Sequence, residues 1–196
     1  HWGVRGNESN NGAPYVLDLR SDLTVQENFY GLFFSADSKG IGMLTIQGDG
    51  NDHTLYANNN FAHDVDTGEV YHGVGIYGFR KAQGNINDIN IDASGNLHGL
   101  LLYTGAVVKI TGKADGSNTF VASDNRTPNL NTGRGISVGS QGSAAHIYNM
   151  DIEVNHNGQY GIYSEMSSVI PGIVDIEGVA GGSNTLTANQ NGNSGM

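Results

Sequence analysis

Three stretches decide the fold: Gly50-Asn-Asp-His-Thr-Leu-Tyr-Ala-Asn58, Gly116-Ser-Asn-Thr-Phe-Val-Ala-Ser-Asp124 and Gly182-Ser-Asn-Thr-Leu-Thr-Ala-Asn189. Their threonines, Thr54, Thr119 and Thr185, lie 65 and 66 residues apart. A second element precedes each of them: Gly31-Leu-Phe-Phe34, Gly99-Leu-Leu-Leu102 and Gly161-Ile-Tyr-Ser164, at spacings of 68 and 62. Upstream of each runs an alternating segment, Leu19 to Val25, Ile86 to Ile91 and Ile147 to Ile152. The register of a 60-odd-residue unit is therefore kept along the whole chain.

Within that unit sits a shorter period. Gly75-Ile76-Tyr77 precedes Gly99 by 24 residues, and Gly135-Ile136-Ser137 precedes Gly161 by 26, so each unit is two coils. Coils of this size suit a solenoid in which no turn buries its apolar face alone and each stacks on its neighbours. Helical solenoids need a 3.6-residue period. Here Asp18 to Val25, Asn85 to Asp92 and His146 to Glu153 alternate with a period of two, which predicts strands. Asn28, Asn96 and Asn157 stand three or four residues before the next glycine, where stacked Asn side chains can bond up and down an axis.

Composition agrees with this reading. Thirty Gly against three Pro indicate many tight turns, because Gly tolerates φ > 0 at little cost. With no Cys, disulfides and thiolate metal sites are excluded, so packing and hydrogen-bonded ladders must supply the stability. A net charge of −10, from 9 Lys+Arg against 19 Asp+Glu, argues against nucleic acid as a partner, since that binding depends on clustered cations. No apolar run approaches the ~18 residues of a membrane span, so no membrane insertion of this segment is expected. The abrupt start at His1-Trp2 and the end at Met196, inside a repeat, read as a single β-helix domain over 1–196 belonging to a longer secreted surface protein.

The pattern Gly-apolar-x-apolar, a turn, then Ile-x-Asn-x-x-Ile and a further Asn resembles the parallel β-helix repeat of the pectin-lyase-like superfamily, over residues 15 to 195. The resemblance implies an all-β, right-handed, single-stranded parallel β-helix of about six to seven coils, arranged as three two-coil repeats. That superfamily spans lyases, epimerases, hydrolases, phage tailspikes and the passenger domains of autotransporter adhesins, so it is informative for fold and not for activity. The Cys-free, acidic, duplicated chain is most similar to the adhesin passengers, which implies an extracellular or bacterial cell-surface location.

Alternation places side chains. If Leu32, Ile76, Leu100, Ile136 and Ile162 point inward, Phe33, Tyr77, Leu101, Ser137 and Tyr163 point outward on successive rungs about 4.8 Å apart. Two residues on, Ser35, Phe79, Tyr103, Gly139 and Glu165 face out as well. The stripe of Phe33, Tyr77, Phe79, Tyr103 and Tyr163 is the candidate binding surface, of a kind that stacks on sugar rings or anchors an interface. The partner expected is a glycan or another copy of the chain.

Catalytic motifs of the family have no match, and Tyr77-Gly-Phe79 continues with Arg80-Lys81 rather than an Asp-Pro-His. The densest ionisable cluster is His63, Asp64, Asp66, Glu69 and His72 beside Arg80 and Lys81. Asp64, Asp66 and Glu69 are the candidate metal ligands, and calcium is the cofactor that such oxygen donors suit. Asp49 and Asp52, in a segment resembling one RTX nonapeptide, are a second candidate calcium position. Two functions are weighed: a non-catalytic adhesion module, and a calcium-dependent polysaccharide lyase or epimerase acting on uronate polymers through the 63–72 loop. A phage tailspike segment is a third. His53, His98, His146 and His156 read as turn or surface residues.

Overall fold

The computed structural model of the protein describes residues 2–6, 15–36, 42–63, 70–127, 132–166 and 169–192. Among them it contains no helix. Eighteen strands form three parallel six-stranded sheets. Sheet 1 runs β1 (Trp2–Gly6), β4 (Tyr30–Ser35), β9 (Val74–Phe79), β12 (His98–Tyr103), β15 (Arg134–Val138) and β18 (Tyr160–Ser164). Sheet 2 runs β2 (Tyr15–Leu19), β5 (Met43–Gly48), β10 (Gln83–Asn87), β13 (Val107–Thr111), β16 (Ala144–Tyr148) and β19 (Ile173–Glu177). Sheet 3 runs β3 (Leu23–Thr24), β6 (Thr54–Tyr56), β11 (Asn90–Asp92), β14 (Asn118–Val121), β17 (Met150–Glu153) and β20 (Leu186–Thr187). The chain visits sheets 1, 2 and 3 in turn six times, which is a parallel β-helix of six coils. Between coils two and three it inserts an antiparallel hairpin, β7 (Phe61–His63) with β8 (Val70–His72).

The inward columns are aliphatic on every sheet. Leu32, Ile76, Leu100 and Ile136 stack in register on sheet 1, Ile46, Ile86, Ile110 and Ile147 on sheet 2, and Leu55, Ile91, Phe120 and Ile152 on sheet 3. All twelve are at most 2% exposed, so a chain only 37% hydrophobic still owns one continuous dry interior. Size matching is local: a Cβ on Gly78 would lie 2.6 Å from Phe34 Cζ. That glycine gives the Phe34 ring its place in the adjoining coil.

At the corner between sheets 3 and 1 each coil carries an asparagine. The backbone N–H groups of Asn28, Asn60, Asn96, Asn125 and Asn157 donate to the Oδ1 of Asn60, Asn96, Asn125, Asn157 and Asn191 respectively, at 3.4, 2.8, 2.9, 3.0 and 2.9 Å. Asn96 Nδ2 also donates to the carbonyls of Ala57, Ala93 and Ser94. The residue before each ladder asparagine is left-handed: Glu27, Asn59, Gly95, Asp124, His156 and Gln190 have φ between 49° and 68°. One sharp turn thus recurs at each coil. The expected Asn28, Asn96 and Asn157 belong to this ladder, and Asn60, Asn125 and Asn191 complete it.

The two-coil repeat has a hydrogen-bonding basis. Thr54, Thr119 and Thr185 of the even coils donate their N–H groups to side-chain oxygens of Asp22, Asn90 and Asp151 in the coil before. In coils four and six, Asn118 and Asn184 close the longer corner loop by accepting from the N–H of Lys113 and Val179. Odd coils turn the corner in fewer residues. There the alternating runs expected as single strands break in two, and Asp88 and Asn149, with φ of 56° and 55°, make the bend.

Replacing Asn96 with Ala strands the buried N–H of Asn60 and removes three side-chain donations. An unsatisfied buried donor costs about 1–3 kcal/mol, so Asn96→Ala is expected to lower the unfolding free energy by about 3 kcal/mol in urea titration. Asn51→Ala, in an exposed turn, should change it by less than about 0.5 kcal/mol.

Candidate functional site

The outward face of sheet 1 collects the predicted aromatic residues. Phe33, Tyr77, Leu101, Ser137 and Tyr163 are register partners on consecutive coils, and Phe79 pairs with Tyr103. The structure divides the expected stripe in two. Phe33, Tyr77 and Phe79 form one run, with centroids 5.5 Å apart for Phe33–Tyr77 and 5.8 Å for Tyr77–Phe79. Tyr163 lies two coils beyond Leu101, across Ser137, in a separate group. Exposure differs as well: Phe33 is 8% exposed and serves as packing, whereas Tyr103 is 44% exposed. The Tyr103 ring covers Gly139 of the next coil, where an added Cβ would lie 2.5 Å from Tyr103 Cδ2.

Two rings join these groups that alternation alone does not reveal. Tyr30 stacks on Phe33 at 5.3 Å and meets Tyr77 at 4.9 Å; Tyr160 meets Tyr163 at 5.2 Å. Residues 30 and 33 share a face although strict alternation would oppose them. The reason is Gly31, which drops out of the pairing register between Tyr30↔Val74 and Leu32↔Ile76. A Cβ there would stand 2.7 Å from both the Gly75 carbonyl and the Asn60 amide. Gly75, Gly99, Gly135 and Gly161 occupy the same position in the later coils, so the strand is bent alike in each.

Arginines lie over the rings. Arg5 sits 5.9 Å from the Phe33 centroid, Arg80 5.0 Å from Phe79, and Arg134 3.8 Å from Tyr163 and 5.8 Å from Tyr160. Such contacts are worth about 0.5–2 kcal/mol each. Burial pushes the Tyr77 phenol up to about 12, with the neighbouring phenols of Tyr30 and Tyr103 adding to the effect, and burial raises Tyr30 as well. These hydroxyls stay protonated at neutral pH.

His98 stands half-buried on the same face. It lies between Val74 and Arg134 on this face; its Nδ1 is sealed from solvent and has no partner among the described residues. Burial, aided by the Arg134 charge, lowers its pKa to about 4, so the imidazole is neutral at pH 7. Of the other histidines expected at the surface, His156 is exposed, His53 Nε2 lies 3.2 Å from Asp49, and His146 lies 3.3 Å from Asp175, which also accepts the Tyr148 hydroxyl at 2.8 Å.

Of the candidate metal ligands, Asp64, Asp66 and Glu69 lie outside the described residues. His63 and His72 belong to the hairpin that flanks them. Asp49 and Asp52 have their own partners: Asp49 accepts from the Asn51 N–H and pairs with His53, while Asp52 pairs with Lys113 from two coils on. Among the described residues no three His, Cys, Asp or Glu side chains converge as a metal-holding group.

Comparison of the chain with protein-family models, with curated proteins and with solved structures found no match.

The neutral His98 makes stability pH-dependent. An unfolded His takes up its proton near pH 6.5, while the folded state resists protonation down to about 4. Its contribution is therefore complete above pH 6.5 and is lost as the pH falls toward 4. Urea unfolding between pH 7 and 4 should show a loss in the unaltered protein exceeding that in His98→Gln by on the order of 1–3 kcal/mol. Parallel pH profiles would contradict the assignment.

Proposed function

We propose that the protein is a non-catalytic recognition and adhesion module of a cell surface, which binds glycan through the outer face of sheet 1. The observation that carries this reading is the continuous set of rings Tyr30, Phe33, Tyr77 and Phe79, each in contact with the next and drawn from neighbouring coils. Sugar rings present apolar C–H faces that stack on aromatic side chains, and the half-buried rings of Tyr30, Tyr77 and Phe79, backed by the buried Phe33, offer such a platform across two adjoining coils.

Rigidity supports the same reading. The rings stand on six parallel strands pinned by the asparagine ladder, so little side-chain or backbone freedom is lost on binding. The face is poor in groups that move protons at neutral pH. Burial keeps the phenols of Tyr30 and Tyr77 protonated, and His98 stays neutral with one nitrogen sealed. Recognition asks only that such groups keep their places, whereas lyase or epimerase chemistry asks one of them to abstract a proton.

On a glycan array the protein should retain a subset of glycans equally with and without EDTA. Tyr77→Ala with Tyr103→Ala should weaken that binding about tenfold or more, as expected for two stacking contacts of about 0.5–1.5 kcal/mol each, with the urea midpoint reported alongside. Full binding by the double variant would sink the proposal. Calcium-dependent appearance of ultraviolet absorbance with uronate polymers would favour a lyase instead.

A further inference from the structure

The chain carries 19 Asp+Glu, yet none of the six strands of sheet 1 contains one. Sheets 2 and 3 carry Asp18, Asp92, Asp151, Glu153, Asp175 and Glu177 in their strands. Strand residues Arg5 and Arg134, and Arg80 at the following turn, give sheet 1 the opposite sign. On a protein of net charge −10, the strands of this face carry cations and rings, and Glu165, one residue beyond β18, is the acid that flanks them, its Oε2 accepting from the Ser140 N–H.

Two of the cations on this face, Arg80 and Arg134, are also spared carboxylate partners among the described residues. Lys113 and Arg126 pair with Asp52 and Asp124, but among the described residues neither Arg80 nor Arg134 has an acid within ion-pair distance. Arg134 is nonetheless fixed in place. Its Nε donates to Gln159 Oε1 and its Nη1 to Ser137 Oγ, both at 3.2 Å, and its guanidinium lies flat enough on Tyr163 to stand 3.8 Å from the ring centroid. Every one of these contacts is to a neutral group, so the fork is oriented while its charge is left unneutralised. Its Nη2 has no hydrogen-bond partner among the described residues. A guanidinium held in this way matches a planar or tetrahedral oxyanion, which it can engage through two N–H groups at once.

We infer that the glycan taken by this face bears a fixed negative charge, as a carboxylate or a sulfate ester, and that Arg134 beside the Tyr160–Tyr163 pair is the residue that seats it. The inference rests on the reading of sheet 1 as a glycan-binding face and adds the chemical class of the ligand. Keeping acids out of the six strands of this sheet on an acidic protein also favours approach of an anion along them rather than along the flanking sheets.

The test is binding of size-matched neutral, carboxylated and sulfated oligosaccharides at low and high salt. It is run on the unaltered chain, on Arg134→Gln, and on Arg126→Gln as a control for loss of one positive charge elsewhere. The expected result is a preference of about tenfold or more for one charged set over the neutral set. That preference should shrink at high salt, vanish in Arg134→Gln and persist in Arg126→Gln. Whichever charged set is preferred identifies the anion. Equal binding of neutral and charged sugars, or a preference that survives in a folded Arg134→Gln, overturns the inference and leaves the recognition reading standing. Binding of no oligosaccharide from any set overturns both. Should Arg134→Gln fail to fold, the salt dependence and the charged-to-neutral ratio of the unaltered chain decide the matter.

Discussion

Each coil is tied to the next by a backbone N–H that finds its acceptor in the side chain of an asparagine one coil further on. The chain must turn sharply between sheets 3 and 1, and such a turn turns its backbone donors away from strand partners. Asparagine supplies both the acceptor and, through Nδ2, donors for the turn's own carbonyls. Because Asn60, Asn96 and Asn125 are fully buried, no water can replace them, and an unmade bond there costs its full desolvation penalty. A second ladder runs beside the first with the opposite polarity: Ser123, Asn155 and Asn189 donate their N–H groups to the side chains of Ser94, Ser123 and Asn155. Together they fix which residue stacks on which, and the aliphatic columns and the outward rings follow from that register.

Much of this is legible in the chain because a repeat fold writes the same constraint many times. Thr54, Thr119 and Thr185 mark the two-coil period since each needs the same acceptor in the coil below. The glycines at 31, 75, 99 and 135 mark the same bend since a Cβ there would stand within 2.8 Å of the carbonyl of the next coil's glycine, and Gly161 holds the same position in the last coil. Two members of the asparagine ladder were hidden for a plain reason: in the even coils an insertion, 61–72 or 126–132, separates Asn60 and Asn125 from the glycine that would have flagged them.

The site was less legible than the fold. Strict alternation finds Phe33, Tyr77, Phe79, Tyr103 and Tyr163, but it misses Tyr30 and Tyr160, which reach the same face only because the strand breaks step at the glycine. It also reads as one stripe what Leu101 and Ser137 divide into two groups. The segregation of charge is invisible until each acid is assigned to a sheet: Asp92 and Glu153 look no different in sequence from residues of the cation-bearing face. In the same way nothing in the sequence around His98 shows that its ring nitrogen is sealed beside an arginine.

The central claim is that buried asparagine side chains, and not strand pairing alone, set the coil-to-coil register. Native-state hydrogen exchange of individual backbone amides tests it most directly. The amides of Asn60, Asn96, Asn125 and Asn157 should exchange as slowly as those of the core strand residues Ile86 and Ile110, since each donates to an asparagine side chain of the next coil. Exchange of the four at the rate of exposed turn amides such as Asn51 and Ser117 would contradict it.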